Sequence, residues 1–90
     1  LLIERGATVD ARTKILRTAL HRAADSGHKE VVNLLIERGA TVDARDVNSD
    51  TPLHLAANSG HKEILNLLIN RGATVEATNM NGETPLLLAV

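Results

Sequence analysis

Cysteine is absent from this chain. That removes disulfides, thiolate nucleophiles and most structural zinc sites, and it leaves the redox compartment undecided. Aromatic residues are absent too. Base stacking, capture of ligand cations on ring faces and the commonest interface anchors all use aromatic rings. Any binding must therefore rest on arginine, aliphatic side chains, and polar or backbone groups. No charge excess exists either: the formal net charge is −1, so nothing marks the chain as a whole for nucleic acid or an anionic membrane. No apolar run approaches the roughly 20 residues needed to span a bilayer. The chain has no signal-peptide pattern and opens on Leu1 without a methionine, which reads as a fragment or a processed segment.

What the chain does have is repetition. Leu34 to Arg45 reads LLIERGATVDAR, and Leu1 to Arg12 carries the same letters. Leu67 opens a third copy, LLINRGATVEAT. Ladders at a spacing of about 33 residues run throughout: Gly6, Gly39, Gly72; Thr18, Thr51, Thr84; Leu20, Leu53, Leu86. A period of this size means a stack of small units, which offers long binding surfaces more readily than a catalytic cleft. The first two copies match even at solvent-facing charges, where packing dictates little; this points to recent duplication or deliberate design.

The middle unit is the clearest. Asp46 to Asp50 is polar and turn-like. Thr51 is a good N-cap, because its hydroxyl can accept from an orphan N–H of the first turn. Pro52 suits the first helical position, where no N–H is needed. Leu53, Ala56 and Ala57 then fall on one face. The alanines make that face thin, so neighbouring helices can approach closely. Asn58-Ser59-Gly60 ends this helix. His61 to Arg71 reads as a second helix, apolar at Ile64, Leu65, Leu67, Leu68 and Ile69, and Gly72 fits the left-handed position that closes it. Asn81-Gly82 is a tight-turn signal in the next unit. Each unit is thus a turn, a short helix, a tight turn, a longer helix and an extended link. A lone helix pair of this size cannot bury its own apolar faces; stacking buries them.

These residues resemble the ankyrin-repeat family. The likeness rests on Thr51-Pro52-Leu53-His54-Leu55-Ala56-Ala57, on Gly60-His61, and on Leu67-Leu68 with Gly72-Ala73. Thr18, Leu20-His21, Ala23-Ala24 and Gly27-His28 repeat it in one direction, and Gly82, Thr84-Pro85-Leu86 in the other. The resemblance implies an all-α solenoid of stacked antiparallel helix pairs with β-hairpin-like fingers between repeats. It implies recognition of a protein by a concave surface of fingers and first helices, with no catalysis, cofactor or metal. It also implies an intracellular, mainly cytoplasmic setting. Residues 1–90 then form one array: 1–12 close a partial repeat, 13–45 and 46–78 are repeats, and 79–90 open another partial repeat. Departures from the family pattern are Leu16 and Ser49 at the finger glycine, Ala19 in place of proline, Leu87 in place of histidine, and Asp10, Asp43 and Glu76 where asparagine is usual. Leu16 suits a positive φ poorly.

Both ends of the array fall within a unit. Leu1, Leu2 and Ile3, and Leu86, Leu87, Leu88 and Val90, are therefore expected to lie partly exposed. Each forgoes up to about 1.5–3 kcal/mol of burial. Either further repeats flank the segment or the ends stack on other chains.

The histidines His21, His28, His54 and His61 recur at matching positions, with a spacing that fits no common zinc pattern. The resemblance gives the first of each pair a bond between finger and helix start, and the second a role in bracing the inter-helix turn. His21, Asp25 and Ser26 could be read as a hydrolytic triad, but no strand-to-helix nucleophile elbow is present, and the next unit replaces Asp25 by Asn58. A solvated helix end is the better reading.

The fingers carry the sharper expectation. By the family pattern their outward positions are Lys14, Ile15 and Arg17; Val47, Asn48 and Asp50; and Met80, Asn81 and Glu83. Arg12, Arg45 and Thr78 stand at their bases, and Asp25, Ser26, Asn58 and Ser59 end the first helices on the same side. This surface would run from basic, through Arg12, Lys14 and Arg17, to acidic at Glu83, and so set a partner's direction. Ile15, Leu16, Val47 and Met80 either anchor a partner or fold back onto neighbouring fingers. Glu4, Arg5, Glu37, Arg38 and Arg71 read as a solvated convex edge. The functional expectation is a protein-binding module. The alternative is a structural spacer or scaffold segment of a longer array, without a partner of its own. Nucleic-acid and membrane partners are not expected; end-to-end self-stacking through the uncapped termini is the alternative to flanking repeats.

Overall fold

Thr18, Thr51 and Thr84 each start a helix, and the backbone shows why. In the computed structural model, which describes residues 17–89, all three have an extended φ/ψ and turn the hydroxyl back onto the first turn. The helices are α1 (Ala19–Ser26), α2 (Lys29–Glu37), α3 (Pro52–Asn58), α4 (Lys62–Asn70) and α5 (Pro85–Leu88). The second helix of the middle unit is thus slightly shorter than His61 to Arg71. His61 and Arg71 flank it as caps, and Gly72 follows with a φ of 94°.

The first helices α1, α3 and α5 pack side by side, and α2 and α4 form a second row behind them. The core lies between the rows. Leu20, Ala24, Val32, Leu35, Leu53, Ala56, Ile64 and Leu68 form it, and all are almost wholly buried. The alanines let the first helices come close, as the thin apolar face predicts. Each buried leucine or isoleucine contributes about 1.5–3 kcal/mol. Among the described residues no strand is present, and the array is all-α.

Between the rows of one repeat and the next run two fingers. Each is a three-residue hairpin loop. In the first, the Ser49 N–H donates to the Asp46 carbonyl at 2.9 Å, and the Asp46 N–H donates to the Asp50 carbonyl at 3.0 Å. In the second, Gly82 and Asn79 form the first bond at 3.0 Å and Asn79 and Glu83 the second at 3.0 Å. Such loops place their third residue in left-handed backbone. Gly82 sits there at φ 73° and Ser49 at φ 61°. Serine carries a steric cost in that region that glycine does not. Ser49→Gly is therefore expected to raise the unfolding free energy by about 0.5–1 kcal/mol. Urea denaturation followed by circular dichroism checks this, and an unchanged or lower midpoint would refute it.

Leu86 and Leu87 are exposed, as expected, and Leu88 is half-buried. Leu1, Leu2, Ile3, Val90 and the first-finger positions Arg12, Lys14, Ile15 and Leu16 lie outside the described residues.

Candidate functional site

The histidines fix where the fingers stand. His54 Nδ1 accepts from the Thr51 N–H at 3.1 Å and lies 2.9 Å from the Thr51 hydroxyl. Its Nε2 lies 2.9 Å from the Glu83 carbonyl, which can only accept, so Nε2 carries the proton. His21 repeats the arrangement, with Thr18 on one side and the Asp50 carbonyl at 2.8 Å on the other. Each ring closes a capping box and ties a helix start to the finger of the next repeat. His61 reaches across the stack instead, donating to the Asp25 carbonyl at 2.9 Å. For His21, His54 and His61 these are the roles that the resemblance implied; His28 is exposed, and its side chain makes no capping bond. The bonds also dispose of the triad: both nitrogens of His21 are occupied within the fold, the Asp25 carboxylate accepts from Ser59 at 2.7 Å, and Ser26 stands exposed. Among the described residues, no cluster of histidine or carboxylate side chains could hold a metal ion.

The fingers are also joined to each other. The Met80 N–H donates to the Asn48 carbonyl at 2.9 Å. Arg45, at the base of the first finger, donates to the Ser49 carbonyl at 3.0 Å and to the Thr78 carbonyl at 2.7 Å. Asp46 Oδ1 accepts from the Asn48 and Asp50 N–H groups, both at 2.9 Å, and Asn79 Oδ1 does the same for Asn81 and Glu83 at 3.0 Å. The loops are braced from within as well as from outside.

Not every predicted contact position faces outward. Arg17 is corrected: it lies half-buried, with Nε 3.2 Å from the buried Asp46 carboxylate and a terminal nitrogen 4.0 Å from Asp25. Its charge is thus matched within the fold, so it does not supply the basic end of the expected gradient. Asp50 and Glu83 are half-buried as well, because their carbonyls receive the histidines. Asn48, Asn58, Ser59, Thr78 and Asn81 are exposed. Val47 and Met80 do not fold back onto neighbouring fingers: they are 50% and 71% exposed at the tips.

The outer edge is polar, and part of it bridges repeats. Lys29 pairs with Glu63 at 3.3 Å, and Arg71 donates to Asn33 at 2.6 Å. Asp43, where the family pattern has asparagine, accepts both the N–H and the hydroxyl of Thr74, at 2.9 and 2.7 Å. Sequence reading noted the Asp43 substitution but assigned it no task. Its partner Thr74 lies 31 residues on and belongs to the ladder Thr8, Thr41, Thr74, which was the available signal.

No helix among the described residues is long and apolar enough to cross a membrane. A comparison with curated proteins finds no match to the chain. The family model described as ankyrin repeats (many copies) matches residues 20–69 and 53–90. Ankyrin repeats are generally protein–protein interaction modules and are typically without enzymatic activity. With helix pairs, histidine-latched fingers and a family model that together span the described residues, the chain belongs to the ankyrin-repeat family.

Proposed function

We propose that this single array binds a protein segment along the surface formed by the fingers and the first helices, inside the cell, where members of the family mostly work. One observation carries the reading. Val47 and Met80 project from adjacent fingertips into solvent, while the Met80–Asn48 bond holds the two tips in register. Methionine adapts its shape to irregular partners, and a braced loop loses little further backbone freedom on binding. The histidine latches behind the loops supply that bracing.

Paired affinity capture from cell lysate tests the reading. One bait is the intact chain, a second carries Val47→Ser and Met80→Ser, and a third carries Lys29→Ser and Glu63→Ser on the outer edge. A protein held by the first and third baits and lost from the second is the expected result. Identical capture by all three would overturn it. That outcome would favour a segment whose contacts are to adjoining repeats, to which the apolar cavity of about 310 Å³ beside α5 points.

A further inference from the structure

The two finger junctions solve the same bonding problem with opposite charges. At the first, Arg17 Nε donates to Asp46 at 3.2 Å. At the second, the same two positions of the repeat hold Asp50 and Asn79, and the Asn79 amide donates to Asp50 Oδ1 at 2.9 Å. A guanidinium has been replaced by a carboxylate, and its carboxylate partner by a neutral amide.

The exchange leaves negative charge unmatched. Asn79 Nδ2 also donates to Glu83 Oε1 at 3.0 Å, so one amide nitrogen draws two carboxylates together. That nitrogen has two hydrogens, and both are used. Among the described residues, no ion pair joins Asp50 or Glu83 to a lysine or arginine. Two close carboxylates repel each other, and an amide dipole offsets that only in part. The nearby cation Arg45 donates to the Ser49 and Thr78 carbonyls beside these residues, and no lysine or arginine occurs between Asp46 and His61 or between Gly72 and Ala89. At this junction a cavity of about 330 Å³ opens between the fingers and α3, and Asp50, Glu83, Asn58, Asn79 and Asn81 are among its walls. Asn58 stands where the first junction has Asp25, the second carboxylate near Arg17.

We propose that this cavity receives an arginine side chain of the protein partner. The inference rests on the binding surface argued above and gives it a chemical preference. The guanidinium sits against Asp50, the carboxylate that stands at Arg17's position one repeat on. Its planar donors face Asp50 and Glu83, and the Asn58 amide oxygen can accept a further N–H. Val47 and Met80, at the tips beside the cavity, accommodate apolar residues flanking that arginine.

A nuclear magnetic resonance titration of the full chain tests this. The probe is a blocked pentapeptide with one arginine among alanines, and the control has citrulline, a neutral isostere, at the same place. Saturable shifts are expected at the side-chain amides of Asn58 and Asn79 and the backbone N–H of Asn81, with affinity in the millimolar range. Citrulline should bind at least about tenfold more weakly, as should a chain carrying Asp50→Asn and Glu83→Gln. A second variant, Asp50→Arg with Asn79→Asp, rebuilds the first junction's pair in the second; it should keep its melting temperature and lose the peptide. Equal shifts with both peptides, or no saturable shift up to about 20 mM, would overturn the proposal. Shifts confined to Val47 and Met80 would sink the arginine site and leave the broader surface standing. Arginine binding here with no protein lost from the fingertip bait would do the reverse.

Discussion

Replacing His54 by alanine is expected to lower the unfolding free energy by about 3–5 kcal/mol. The ring is fully buried and makes bonds in two directions. Its removal leaves the buried Thr51 N–H and the half-buried Glu83 carbonyl without their partner; an unmet buried group costs about 1–3 kcal/mol, and one that water can reach costs less. The space vacated by the ring adds a cavity term. A domain of this size is stable by only about 5–13 kcal/mol, so the variant should be largely destabilised at body temperature. His28→Ala is the matched control. His28 is exposed, and its side chain makes no capping bond, so its loss should cost less than about 0.5 kcal/mol. Urea unfolding read by circular dichroism measures both, since a chain without aromatic residues gives no intrinsic fluorescence signal. A cost below about 1 kcal/mol for His54→Ala would show that water replaces the ring.

Leucine at one position of the repeat should matter greatly in one unit and hardly at all in the next. Leu53→Ala is expected to cost about 2–5 kcal/mol, and Leu86→Ala less than about 0.5 kcal/mol. Leu53 is 1% exposed between flanking helices, whereas Leu86 is 75% exposed on α5. The contrast comes from neighbours alone, because residue type and helix position are the same. Equal losses would mean that Leu86 is covered in solution. Repeating the unfolding at two protein concentrations would then separate self-association, which makes the midpoint concentration-dependent, from burial of Leu86 within its own chain.

Much of this architecture was legible in the letters. The period, the Thr51-Pro52 helix start and the Gly72 stop are local signals, and local signals need no knowledge of the fold. The finger at Ser49 was legible by comparison, since Gly82 occupies the same position and shows what the turn demands. Arg17 was not. Its partner Asp46 lies 29 residues away, in the next finger. Only the stacking brings the two together, and only the Asx-type bonds of Asp46 turn that carboxylate inward. The exposed state of Val47 and Met80 was equally hidden, because a tip residue folds back or projects according to the loop's backbone. The substitution of Asp50 for Arg17 one period later was visible as letters. Its meaning needed the geometry of the pair it replaces.

The histidine latches carry a consequence for how the array comes apart. Each first helix has its capping ring completed by a carbonyl of the following finger, so one repeat holds part of the cap of its neighbour. A finger that melts therefore weakens the helix before it, and damage spreads backward along the chain. Such sharing raises the coupling between adjacent units relative to their own stability, which makes a linear stack unfold in fewer and larger steps. Leu87 interrupts the series. Thr84 still accepts from the Leu87 N–H, at 3.4 Å, but a leucine side chain has nothing to offer a finger beyond it. Cooperativity should thus run through α1 and α3 and stop at α5, leaving that helix to fray on its own. Hydrogen exchange would read this as two protection classes: a shared one up to Asn70, and a lower one beyond Thr84.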